Sequence, residues 1–138
     1  MSWYHTLLFL HVLAAFMVVT GVTMIWAMFA ATGWGKGAAS PVLRVAVASS
    51  AIWGIGSIGV LVFGIWLAIY VAGYQVWDGW VLIAIALWLV AGFAGGQLTA
   101  GYRNLRSGQG AGPGWGMHVL ETLAVLALLI DMIWKPGA

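Results

Sequence analysis

The sequence predicts an all-α integral membrane protein, a four-helix bundle with antiparallel up-down topology. Three observations carry that prediction. No Asp, Glu, Lys or Arg occurs between Tyr4 and Lys36, a run longer than the about 20 apolar residues that cross a bilayer. The few remaining charges divide the chain into four apolar blocks, and each break between them carries turn chemistry. In hydrocarbon, backbone amides must be paired within a helix or a closed barrel, and the blocks lack the period-two alternation of a barrel.

The first helix is expected over residues 4–31. It lacks a basic n-region, and its apolar stretch is about twice the length of a signal-peptide h-region, so it is expected to stay attached. Gly33-Trp34-Gly35-Lys36-Gly37 to Ser40-Pro41 breaks the chain before a second helix over residues 44–71. At about 28 residues each, these two helices reach about 42 Å and must tilt or project past the bilayer. Gly73-Tyr74 to Asp78-Gly79 precedes a third helix over residues 80–100, and Ser107 to Gly114 precedes a fourth over residues 117–134. Three short loops make the chain a single transmembrane domain.

Basic residues place the ends. Lys36 and Arg44 fall at the first loop and Arg103 and Arg106 at the third, while the second loop carries only Asp78. Positive residues stay cytoplasmic, so both termini are expected outside, with Lys135 as the exception. A bacterial inner-membrane, multi-pass location follows. Trp3, Trp34, Trp77, Trp80, Trp115 and Trp134 sit at expected helix ends, where an indole can be half wet. Trp26, Trp53, Trp66 and Trp88 lie deeper.

Composition narrows the chemistry. The chain has no cysteine, which removes disulfides and thiolate ligation, so a metal would be held by His, Met, Asp or Glu. The basic residues are explained by topology, and nucleic acid is excluded as a partner. No nucleophile sits beside a base in a recognisable pattern, so whether the chain is an enzyme stays open. Small residues recur at helical spacing: Ala91, Gly95 and Thr99 on one face, Gly92, Gly96 and Ala100 beside them, and Ser50 with Gly54. Such faces let helix backbones approach closely. Gly54-Ile55-Gly56-Ser57-Ile58-Gly59 matches the dinucleotide fingerprint literally, but it lies inside an apolar span, without the strand and loop the fingerprint needs.

Two groups of polar residues remain at membrane depth. Toward the outside lie His5, His11, Asp131 and Met132, with Asp78 above them. Toward the inside lie Gln97, His118 and Glu121. His11 stands about 10 Å below the start of its helix and needs a partner or a ligand there. One reading is a hydrogen bond to Asp131 that ties the first helix to the last. The other is axial ligation of haem b, for which neutral imidazole is the usual ligand.

His118 and Glu121, at i and i+3, share a helix face. They suit a metal or a proton relay with Gln97 and Asp131, unless Glu121 simply pairs with Arg44 or Arg103 at the boundary. A bis-histidine haem within one protomer is disfavoured, since helix rise separates His11 and His118 by about 15 Å in depth. A twofold axis would bring two copies of His11 to one level, and Met132 is another possible second ligand. Met17, Met24 and Met28 form a stripe that could pass Cu(I), although adaptable packing explains it better.

The Leu7-Leu8-Phe9-Leu10-His11-Val12-Leu13-Ala14-Ala15 opening, the Gly64-Ile65-Trp66-Leu67 to Gly73-Tyr74 to Trp80 stretch, the Leu87 to Gly96 helix and the closing Trp134-Lys135-Pro136-Gly137 resemble a family of predicted bacterial integral membrane proteins of unknown function. That family resembles, more distantly, the membrane domain of copper-resistance protein D and the haem-containing HemJ type of protoporphyrinogen oxidase. They share a histidine early in the first helix, and His11 matches it. The rest of the HemJ pattern has no counterpart here, so oxidase activity is not implied. Three functions are therefore expected in competition: a haem-binding redox or electron-transfer protein, a small transporter or channel for protons, copper or another solute, and a structural subunit of a larger membrane complex. A homodimer is expected for the first two.

Overall fold

The computed structural model describes residues 2–31, 40–108 and 112–136. Four helices are long and apolar enough to cross a membrane: α1 (Trp3–Ala31), α2 (Ser40–Trp66), α3 (Gly79–Ser107) and α4 (Trp115–Trp134). A π-helical turn, Leu67–Val71, continues α2. Trp34 and Lys36, expected in the first loop, lie outside the described residues.

α1, α3 and α4 begin one or two residues before the expected positions, and two helix ends differ by more than that. α2 begins four residues early because Pro41 falls in the first turn, where its missing N–H leaves no intrahelical bond unmade. α3 runs seven residues past Ala100 and stops at Gly108, which takes a left-handed φ of 73° and bonds back to the Asn104 and Leu105 carbonyls. Loss of hydrophobicity at Arg103 was therefore not the end of the helix: glycine was. Asp78 is used locally, its Oδ2 accepting the Gln75 backbone N–H at 2.8 Å in the turn before α3.

Each helix packs on its sequence neighbours, α1 most extensively on α2 and α3 on α4, while the α1–α4 seam is the thinnest. Glycines set the close approaches. A Cβ at Gly56 would lie 2.7 Å from Met17 Cβ and 2.8 Å from the Ala14 carbonyl, and one at Gly59 would lie 2.9 Å from Ala14 Cβ. Two glycines of the fortuitous fingerprint are thus the α1–α2 contact. Gly95 receives the Trp53 ring, as the Ala91-Gly95 face predicts. Gly54, Gly92 and Gly96 face open space instead. Met17 and Met28 are packing residues: Met28 lies against Ile25, Leu43, Ala46, Leu98 and Tyr102.

Gly56→Leu should destabilise the detergent-solubilised protein by about 1–3 kcal/mol, the range for overpacking a tight contact. Gly92→Ala should be neutral or stabilising, since alanine is the better helix former by about 1 kcal/mol. Thermal unfolding followed by circular dichroism separates the two.

Candidate functional site

The antiparallel arrangement gives the bundle two polar ends, one with Arg44, Arg103 and Arg106 and the other with Asp78 and Lys135. Near the arginine end, α4 buries His118 and Glu121 at 0% and 1% exposure. The His118 Nδ1 lies 3.1 Å from the Gly114 carbonyl, which can only accept, so Nδ1 carries the hydrogen. Nε2 must then accept from the Tyr102 hydroxyl, 3.0 Å away. Phe29 stacks on the imidazole at 4.1 Å between centroids, and Trp26 lies 5.3 Å from it. The Trp26 indole donates to Thr122 Oγ1 at 2.6 Å, and that hydroxyl donates to the His118 carbonyl at 2.7 Å. The result is a histidine held in one tautomer and one orientation by groups on α1, α3 and α4.

Glu121, one turn further along α4, is buried within this group, and its Oε1 has no hydrogen-bond partner. Arg44 and Arg103 are exposed and, among the described residues, make no ion pair with it. The expected pairing at the inner boundary is therefore not what holds this carboxyl. Gln97 does not join the cluster either. It is exposed because α3 buries Ala94, Leu98 and Tyr102, and at 100° per residue Gln97 turns away from that stripe. Tyr102 takes the place assigned to it. The sequence signal for Tyr102 was its spacing four residues after Leu98, obscured by ending the helix at Ala100.

At the opposite end, His11 packs edge-on against Gly64, where a Cβ would lie 3.0 Å from its Cε1. Its Nδ1 has no hydrogen-bond partner, and neither do the two carboxyl oxygens of Asp131. The expected His11–Asp131 bond is absent. His11 and Met132 do line one cavity of about 270 Å³, with Tyr4, Tyr74, Trp80 and Lys135 around it. His5 is exposed, its Nδ1 2.5 Å from Ser2 Oγ.

The donor sets bear on metals and haem. Both His118 nitrogens are already bonded, and no group of three His, Asp or Glu side chains able to hold a metal ion occurs among the described residues. His11 with Met132 is a chemically reasonable axial pair for haem. No family model, curated protein or solved structure matches the chain.

Tyr102→Phe should cost about 1–3 kcal/mol, because it strands a buried imidazole acceptor. Arg103→Ala should change thermal stability by less than about 0.5 kcal/mol, as for other surface positions. Equal losses in the two variants would mean that an ion pair, not the tyrosine, anchors this end.

Proposed function

We propose that the chain is a small proton-handling transporter of the membrane, in which Glu121 takes up and releases a proton by way of His118. The single observation that supports this reading is a carboxyl at 1% exposure with an unpartnered Oε1, one turn from an imidazole fixed as an acceptor at Nε2. An ionised carboxylate without a partner at membrane depth costs several kcal/mol. The carboxyl therefore needs either its proton or a cation beside it.

The relay uses the chain's own atoms. A proton leaving Glu121 passes to His118 Nε2 as the Tyr102 hydroxyl rotates to accept rather than donate. The resulting imidazolium is held by the Gly114 carbonyl at Nδ1, and Gly114 is exposed at the arginine end. Release of the Nδ1 proton to water there leaves an ionised Glu121 and the Nε2–H tautomer; reprotonation of Glu121 from the opposite side and return to the Nδ1–H tautomer by proton exchange with water reset the site. Asp131 supplies a second buried, unpartnered carboxyl toward the other end of α4, as a pathway along that helix requires. The basic residues favour a cytoplasmic arginine end and outward termini in a bacterial inner membrane. Four helices enclose little room, so the pathway is proposed to form in a homodimer. Copper is less well supported, because Met17 and Met28 are occupied in packing.

A second reading, haem b with a redox or electron-transfer role, has one specific support: His11 and Met132 share a cavity wall. A twofold axis along the membrane normal would bring two copies of His11 to one depth, where haem would be shared between two copies of the chain.

Liposomes carrying the wild-type protein should dissipate an imposed pH gradient, and Glu121→Gln should slow this at least about tenfold while leaving the circular dichroism spectrum unchanged. Flux equal to that of empty liposomes would reject the proton reading. A Soret band in the purified protein, lost in His11→Ala, would establish the haem reading instead.

A further inference from the structure

The cavity at the lysine end has a polarity that neither reading uses. Lys135 ends α4 in a left-handed conformation, φ 44°, with its backbone N–H bonded to the Asp131 carbonyl at 2.7 Å. Its ammonium lies 5.3 Å from the centre of the Tyr74 ring and 5.4 Å from that of Trp80, which positions the charge at the cavity by cation–π attraction. Trp80 is 7% exposed, and its Nε1–H has no hydrogen-bond partner. Tyr4 and Tyr74 add hydroxyls to the wall. Among the described residues, Lys135 is the only charged residue of the lining. Asp131, one turn earlier on α4, is outside the lining, and Asp78 is engaged with Gln75.

Among the described residues the wall offers a cation and no carboxylate, so it selects a negative, oxygen-bearing group. Below it the character changes. Gly64, Ala68, Trp80 and Met132 are shared with a second space of about 40 Å³ walled by Val60, Leu61, Trp88 and Leu128, which is apolar. The π-helical turn Leu67–Val71 forms part of the rim through Leu67, Ala68 and Val71, and such turns occur frequently at functional sites.

We propose that this cavity binds a single-chain anionic amphiphile. The carboxylate or phosphate head is held by Lys135, and the start of the hydrocarbon chain passes Gly64 and Met132 into the apolar annex. A second acyl chain exceeds the volume, and a cationic head meets Lys135 with nothing to offset it. The site is independent of Glu121, and it gives a role to the one lysine at the end of the bundle that is otherwise poor in positive charge.

Isothermal titration of the full chain in a neutral detergent tests the proposal with laurate, dodecyl phosphate, dodecanol, dodecyltrimethylammonium and inorganic phosphate. Laurate and dodecyl phosphate should bind saturably, dodecanol at least about tenfold more weakly, and inorganic phosphate not measurably. Lys135→Glu, its folding checked by circular dichroism, should lose at least about tenfold in laurate affinity and prefer dodecyltrimethylammonium. Glu121→Gln should bind laurate as the wild type does. Equal binding of laurate and dodecanol, or of laurate by wild type and Lys135→Glu, overturns the proposal. Binding of inorganic phosphate alone would make this a free-anion site, and a Soret band lost in His11→Ala would give the cavity to haem.

Discussion

Hydrocarbon offers no hydrogen bonds, and that one constraint orders the whole bundle. A polar side chain on these helices must find its partner within the protein. Most do so at short range: Thr23, Ser49, Ser50 and Thr99 bond to the carbonyl four residues back. Two indoles reach across helices, Trp88 to the Ser57 carbonyl and Trp26 to Thr122. Against that background the orphaned buried atoms stand out. They belong to His11, Trp53, Trp80, Glu121 and Asp131.

Trp53 has a packing reason. Its ring fills the space over Gly95 and its backbone abuts Gly21, so the close contact between helices is gained at the expense of one indole bond. The other four lie toward the two ends of the bundle, with an apolar middle of Val18, Val60, Ala91, Ala124 and Val125 between them. Near one end a carboxyl meets a histidine fixed by tyrosine. At the other, a histidine, an indole and an ammonium surround an open cavity. Dry packing separates the two within one protomer, so proton transfer between the ends depends on the pathway proposed to form in the homodimer.

The helices were legible because absence of charge over a bilayer's thickness is a signal that short-range propensity cannot imitate. The four-helix architecture and the pairing of His118 with Glu121 on one face follow from spacing alone. What spacing could not give was the rotation of each helix. Gln97 and Leu98 are adjacent in sequence, but one is exposed and the other fully buried, and an apolar helix with little amphipathic contrast does not announce which is which. Ending α3 at the first arginine hid Tyr102, since an exposed Arg103 on a projecting last turn is compatible with a buried neighbour. The cavity near Lys135 was invisible for a different reason: it is built from four separate elements, and only the folded chain brings Tyr4, His11, Tyr74, Trp80 and Lys135 together.

The central claim is that Glu121 is a membrane-embedded carboxyl that takes up a proton. Dicyclohexylcarbodiimide, an apolar reagent that adds to protonated carboxyls, tests it directly in vesicles, with the adducts located by mass spectrometry. The account predicts a stable adduct on Glu121, none on the solvent-facing Asp78, and loss of the adduct in Glu121→Gln. An unmodified Glu121 in protein whose other buried carboxyl, Asp131, is labelled would contradict it.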